Sequence, residues 1–418
     1  MSAPIHIIGA GLAGLSAAVR LVEQGRQVVV HEAAGHAGGR CRSFHDKVLD
    51  RTIDNGNHLV LSGNLAAMRY LEAIGARGQM QGPAIAAFPF VDVGENCRWT
   101  VQPDRGAIPW SLLSKSRRVP GTSIGEYLSA WRLSRATATD RISGCLPVDG
   151  PLWRRFWQPV IVSIMNTDPT QASARLFWAV LKETFGRGEA ACRPMIAVNG
   201  LSEAFVDPAI QFLTAHGAEV RLGERIRSLI VENGKVVGIE ESDLVEKTSV
   251  DAVIAAVPPP AAAQLLPGLQ VPDRFQPIVN GHFRVDEIDL DETFVGIVGG
   301  TAEWLFVRGD VVSTTVSAAA QLSDRTEEDI ATALWADIVK VLQPQNTQLG
   351  RYRIIREKRA TFEQTPDQVA RRPGVQSGIQ NLFLAGDWTD TGLPATIEGT
   401  IRSGFRAADA VASYSRSR

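Results

Sequence analysis

Ile5-His6-Ile7-Ile8-Gly9-Ala10-Gly11-Leu12-Ala13-Gly14 opens the chain and decides its fold. Four residues suited to a buried strand run into a glycine-punctuated turn, and Leu15 to Gln24 continue with apolar residues at helical spacing. The pattern predicts strand, tight turn and helix. In such a unit Gly9 permits the sharp turn, Gly11 lets the backbone approach a pyrophosphate with no Cβ in the way, and Gly14 lets the helix pack closely on the strand. The free N–H groups at the helix start, around Leu12 and Ala13, face the phosphates. A second strand, Gln27 to His31, ends at Glu32, where a carboxylate accepts ribose hydroxyls and repels a 2′-phosphate. All these features share one register, which separates them from a chance glycine turn. Gly38-Gly39-Arg40 then adds another anion-binding turn and a cation just past the acid, an addition that plain NAD domains lack and that points to FAD.

The far end of the chain agrees. Asn381 to Leu384 reads as a strand entering the turn Ala385-Gly386-Asp387-Trp388-Thr389, and Gly392 to Gly404 opens a final helix. Between the ends, Gly217 to Leu222, Ile226 to Val231 and Lys235 to Glu240 read as strands, the last two joined by an Asn233-Gly234 hairpin turn. Asp251 to Val257 is a buried strand stopped by Pro258-Pro259-Pro260. The expected fold class is α/β: a Rossmann-like FAD-binding domain from 1–70, 200–262 and 374–418, and a substrate domain of mixed β-sheet and helices from 71–199 and 263–373. Both are built from discontinuous segments, and the stretch of about 108–190 is expected to be mainly helical.

Composition bounds the function. With 418 residues, 44% of them hydrophobic and 21% charged, the chain buries a large core. A formal net charge of −2 gives no long-range field for nucleic acid. Cys41, Cys97, Cys145 and Cys192 lie far apart, so neither a metal knuckle nor a disulfide framework is indicated, and the cytoplasm is the expected compartment. Met1 to Val22 lacks the basic start of a signal peptide, and no apolar run is long enough to span a bilayer.

Gly38-Gly39-Arg40 and the Gly386-Asp387 turn together resemble the flavin-containing amine oxidase and phytoene desaturase superfamily. The resemblance implies that Gly386 and Asp387 hold the flavin's pyrophosphate and ribityl chain, that Thr396, Ile397 and Glu398 sit at the helix start facing the isoalloxazine, and that the backbone near Ile226 lies beside the adenine. Asp54-Asn55-Gly56-Asn57-His58, Phe156-Trp157-Gln158-Pro159, Met165 to Ala174 and Gly392 to Gly399 resemble the squalene-associated branch, the hydroxysqualene dehydroxylases of hopanoid biosynthesis. Gly56 and Asn57 then join the flavin site. Ser62-Gly63-Asn64 departs from the Gly-Ala-Tyr type of sequence expected there.

That branch implies reductive removal of a hydroxyl from a long-chain triterpene alcohol, with FAD reduced by an external electron donor, since a single glycine-rich nucleotide turn leaves no second site for NADPH. Asp54, His58 and Glu398 are the candidate acids or cation stabilisers; His58 reads equally as a structural histidine, and Glu398 as a helix cap. Residues 108–118, with Trp110, Leu112, Leu113, Lys115, Arg117 and Arg118, have the composition of an interfacial anchor, and Leu152 to Trp157 form a second basic-aromatic cluster. Both also read as ordinary packing with solvated basic residues. The anchor reading implies a peripheral protein on the inner face of the cytoplasmic membrane. Three alternatives stay open: a phytoene-type polyene desaturase, an amine oxidase with Trp388 as one cage aromatic, and a non-enzymatic prenyl-lipid carrier.

Overall fold

Ile5–Ile8 pairs in parallel with Val28–Glu32 on one side and with Ala252–Ala255 on the other, as alternation-free apolar strands buried on both faces must. The computed structural model describes residues 3–241, 250–286, 288 and 292–416. Glu219–Leu222 and Leu382–Leu384 complete a five-stranded parallel sheet whose members come from three distant parts of the chain. One face, with Ile5, Ile7, Val28 and Ile254, packs against the Leu12–Glu23 and Ile397–Arg416 helices. The other, with Ile8, Val253 and Leu384, packs against Ile226, Val236 and Ile239 of a separate hairpin. That hairpin, Ile226–Glu232 with Lys235–Glu241, turns at Asn233 (φ 50°) and Gly234 (φ 74°), the double positive φ the Asn-Gly pair foretold.

The two helices cross closely. A Cβ on Gly404 would lie 2.2 Å from Ser16 Oγ and 2.3 Å from the Ala13 carbonyl, so only a bare backbone lets the final helix settle there. The final helix starts at Ile397 and runs to Arg416, later and longer than the sequence suggests.

A second sheet of seven strands runs in the order Tyr352–Phe362, Phe275–Arg284, Val311–Val316, Trp304–Arg308, Phe294–Val298, Phe88–Asp92, Cys97–Val101. Period-two alternation divides its residues cleanly. Val279, Phe283, Ile297, Leu305, Val312 and Val316 face the Glu327–Leu342 helix. On the opposite face Asn280, His282, Arg308, Ser313 and Thr315 form a polar end, and Phe306, Trp304, Phe294, Phe90, Phe88 and Trp99 form an aromatic one. Short helical pieces, including Ile124–Tyr127, Gln158–Met165 and Ala174–Glu183, fill the stretch before Pro194.

Two of the readings left open are removed. Trp153, Phe156 and Trp157 are buried, and Arg155, also buried, is ion-paired with Asp92 and Glu95, so the Leu152 to Trp157 cluster is core and not a surface patch. Trp388 is 1% exposed and donates its indole N–H to the Val257 carbonyl at 2.8 Å; it wedges the turn at 385–389 against the sheet, which leaves it no open face for a cage.

Candidate functional site

The site begins at a backbone cradle. Gly9 adopts φ +106°, and a Cβ there would lie 2.4 Å from the Ala256 carbonyl oxygen. A Cβ on Gly14 would lie 1.9 Å from the Gly9 oxygen, so the helix meets the strand with no side chain between them. Gly11, at the start of the Leu12–Glu23 helix, differs: a Cβ on it meets nothing within 4 Å. Its bareness serves an approach from outside the protein. Gly38 N–H donates to the Ala10 carbonyl at 2.8 Å, which brings the second glycine turn against the first.

Glu32 closes the cradle. Its two carboxylate oxygens accept from Ala10 N–H at 2.8 Å and Ala34 N–H at 2.9 Å, which fixes the carboxylate plane while leaving lone pairs for diol hydroxyls. Arg40 reaches across to the other end of the chain: its guanidinium pairs with Asp387 at 2.8 Å and donates to the Ala360 carbonyl, and the pairing raises its pKa. The N-terminal and C-terminal motifs, 347 positions apart (387 − 40), thus meet in one ion pair.

Arg372, which sequence reading missed, holds the Asp387 turn in place. Buried to 7% exposure, it donates to the carbonyls of Leu393 at 2.8 Å, Asp387 at 3.3 Å and Thr389, and it lies over the Phe362 ring. Burial lowers its pKa to about 10, yet it stays a cation at neutral pH. No sequence motif marks it; only the folded loop gathers those carbonyls around one side chain. Thr396 Oγ accepts from Gly399 N–H at 3.1 Å and so caps the final helix just before Ile397. Ile226 is a buried first residue of its strand, packed with Ile8 and Val253.

The three candidate acids part company. Asp54 is a structural hub: Oδ1 accepts from Ser43 Oγ at 2.5 Å and Leu201 N–H at 2.9 Å, and Oδ2 pairs with Arg308 at 2.7 Å. Glu398 is also fully engaged. Only 3% exposed, it accepts from Ala66 N–H at 3.1 Å and Ala67 N–H at 2.9 Å at the start of the Leu65–Ala73 helix, and from Arg402 at 2.9 Å. It caps a neighbouring helix, a variant of the capping role. His58 alone makes no side-chain hydrogen bond among the described residues. It opens onto a recess shared with Asp54, Asn57, Phe306 and Arg308. His58 is itself exposed to the recess, and desolvation by the protein around it lowers the imidazole below its ordinary pKa, with Asp54 pulling it back up and Arg40 lowering it further.

Gly56 and Asn57 lie against the seven-stranded sheet. A Cβ on Gly56 would sit 3.4 Å from Asn280 Nδ2 and 3.8 Å from His58 Nε2, and Asn57 donates to Thr315 Oγ at 3.0 Å. The Asn57 side-chain N–H groups are thus engaged on the seven-stranded sheet. The unusual Ser62-Gly63-Asn64 has a local cause: a Cβ on Gly63 would lie 2.6 Å from the Ala191 carbonyl oxygen, Ser62 Oγ donates to the Ala190 carbonyl at 2.7 Å, and Asn64 Oδ1 accepts from Leu61 N–H at 2.7 Å.

Comparison with known proteins fixes the family. The profile of flavin containing amine oxidoreductases matches residues 12–412. The chain belongs to that family. Among flavin containing amine oxidoreductases it is 45% identical to a hydroxysqualene dehydroxylase of Sinorhizobium fredii over 97% of both chains, and 44% identical to one of Rhodopseudomonas palustris over 100% of both. A hydroxysqualene dehydroxylase of Zymomonas mobilis is 41% identical over 98% of this chain and 99% of its own. A zeta-carotene desaturase of Synechococcus elongatus, described as probable, stands further off at 23% identity. Cyclohexylamine oxidase from Brevibacterium oxydans shares the fold, with a TM-score of 0.74 at 14% identity over 100% of both chains.

The residues fit the cofactor of this family of flavin enzymes, FAD. A Cβ on Gly11 would fill the space above the helix start, where unpaired N–H groups converge, and Glu32 is pre-oriented for a ribose. Gly9, Gly11, Leu12, Ala13, Gly14, Glu32, Gly39 and Arg40 from one end, and Gly386, Asp387, Thr396 and Ile397 from the other, would hold it.

Proposed function

We propose that this chain removes the hydroxyl of hydroxysqualene reductively to give squalene, in hopanoid and triterpenoid biosynthesis. The observation that carries the reading is the graded face of the seven-stranded sheet: polar beside His58 and Asp54, then aromatic without interruption. Phe306 shares the His58 recess and stacks toward Phe294 at 6.4 Å between ring centroids; Phe294 meets Trp304 at 6.0 Å, Trp304 meets Phe90 at 5.5 Å, and Phe90 lies flat on Trp99 at 5.7 Å. A hydrocarbon tail with one polar end would run along the part-buried members, Phe306, Trp304 and Trp99, with Phe294 and Phe90 buried behind them. The three dehydroxylase relatives, each above 40% identity over nearly the whole chain, support the same substrate.

The chemistry follows from what the residues can do. An allylic alcohol loses water once its oxygen is protonated, because the cation left behind is delocalised. Reduced FAD, when bound, supplies the hydride that takes the hydroxyl's place. We assign the proton to His58, which faces the recess and makes no side-chain hydrogen bond among the described residues. Asp54 and Arg308 neutralise one another beneath it, so the recess carries no stray charge to attract water. Phe306 offers a π face to a nearby cation, a contact of about 2 kcal/mol where water is excluded. Arg372, Glu398 and Trp388 hold the turn and helices rigid, and rigid support keeps reacting atoms in range.

The electrons come from an external donor, in keeping with a single nucleotide cradle. We further infer that the protein works on the inner face of the cytoplasmic membrane, where a triterpene resides. No helix of the described residues is long and apolar enough to cross a membrane. In the 108–118 segment Trp110 is 66% and Leu113 65% exposed, and Lys115 and Arg117 are exposed beside them. Arg118 instead shapes the turn, donating to the Leu112 and Leu113 carbonyls at 2.6 Å and 3.0 Å. Product analysis tests the main reading. Anaerobic incubation with chemically reduced FAD and hydroxysqualene is expected to yield squalene; a more unsaturated polyene, formed only with oxidised FAD, would replace this reading with a desaturase.

A further inference from the structure

The structure exposes apolar residues where a folding chain ordinarily hides them. Ser123 and Glu126 form a capping box that starts the Ile124–Tyr127 helix, which continues as a tighter turn through Leu128–Arg135. Leu133 points inward and is fully buried, and Tyr127 accepts from Val119 N–H at 2.9 Å, which ties this segment to the end of the Trp110 segment. The outward face is the unusual one. Ile124, Leu128 and Trp131, spaced four and three apart, are 39%, 72% and 69% exposed. Arg132 and Arg135 are exposed next to them. Glu126 is the sole acid between 124 and 135, and its Oε1 is held by Ser123.

We propose that this face, Ile124, Leu128, Trp131, Arg132 and Arg135, docks on an anionic phospholipid bilayer. The proposal rests on the lipid-substrate reading above and extends it to a second segment. Apolar residues and tryptophan at the centre with cations at the rim match the boundary between acyl chains and charged headgroups. The same rim disfavours a second copy of the chain, because a two-fold interface would set Arg132 and Arg135 near their own counterparts. The Val119–Tyr127 hydrogen bond ties this face to the chain that follows the Trp110 segment, and two linked contacts that engage one surface act as one stronger one.

Co-sedimentation of the FAD-loaded protein with vesicles tests this without substrate. Phosphatidylglycerol-containing vesicles are expected to bind the wild type, with pure phosphatidylcholine binding at least about tenfold less tightly. Leu128→Ser with Trp131→Ser, and separately Arg132→Glu with Arg135→Glu, are each expected to weaken binding by more than about tenfold. The charge-reversed variant guards against misfolding, since both arginines are exposed. Each variant is expected to keep its flavin and to make squalene at the wild-type rate from detergent-dispersed hydroxysqualene, which separates this proposal from the catalytic one. Unchanged vesicle binding in both variants would overturn it. So would equal binding to neutral vesicles, or a wild-type dimer that becomes a monomer in the Leu128→Ser, Trp131→Ser variant.

Discussion

The glycine cradle and the recess behind it are built by opposite means. In the cradle the working parts are backbone N–H groups, and side chains matter mainly by their absence. In the recess the working parts are mostly side chains, delivered from separate stretches: Asp54 and His58 from one, Phe306, Arg308 and Ser313 from the second sheet, with the Leu201 N–H holding Asp54 from a third. A backbone site is encoded locally and tolerates no added atoms; a side-chain site is encoded globally and tolerates change wherever a neighbour can compensate.

The sharpest way to break that contrast lies within the cradle. Gly14→Ala drives a Cβ into the Gly9 carbonyl and is expected to abolish soluble, folded flavoprotein. Gly11→Ala has room for its methyl group; it is expected to fold with a melting temperature near that of the wild type while losing FAD affinity by about a hundredfold or more, measured by flavin fluorescence on titration. Equal loss of stability in both variants would erase the distinction between packing glycines and ligand-facing ones.

In the recess, His58→Ala is expected to lower the squalene-forming rate by about a hundredfold or more with the bound-flavin spectrum unchanged. Glu398→Ala strands two buried N–H groups and Arg402; it is expected to cost about 2 kcal/mol of stability in denaturant unfolding, with a smaller loss of rate than His58→Ala. The reverse ranking would return Glu398 to the chemistry.

How much of this the sequence discloses follows from the same contrast. Gly9, Gly11, Gly14 and Glu32 are legible because strand, turn and helix are local and each glycine has a steric reason. Arg40 and Asp387 are legible only as separate signatures; that they pair is a fact of the folded chain. Arg372 and Arg308 escape notice because an arginine's partners here are carbonyls and a carboxylate brought from elsewhere. The Trp153-Arg154-Arg155-Phe156-Trp157 run stays ambiguous in sequence for a related reason: basic residues suggest a surface and aromatics a core, and only the folded chain shows Asp92 and Glu95 coming from a distant hairpin to pair with Arg155. Ile124, Leu128 and Trp131 carry a readable helical spacing, yet the sequence alone gives no sign that this stripe faces outward.

A further expected effect concerns acid. Buried His282, packed near Asp54 and bonded to Ser313, has its pKa lowered by burial to about 4. A histidine whose folded pKa lies below its unfolded value near 6.5 keeps full stability above that value and loses it as pH falls toward 4, by about 1.4 kcal/mol per pH unit. Chemical denaturation of His282→Gln is therefore expected to show a shallower fall between pH 6.5 and 4 than the wild type. An identical pH slope in the two proteins would remove His282 from the acid response.

The most direct measurement of the central claim is a single anaerobic turnover: the FAD-loaded enzyme is reduced, mixed with hydroxysqualene, and followed by flavin absorbance while squalene is quantified. The account predicts flavin reoxidation matched by stoichiometric squalene in the wild type, slowed by about a hundredfold or more in His58→Ala. Flavin that stays reduced with hydroxysqualene intact, or reoxidation at an unaltered rate in His58→Ala, would contradict it.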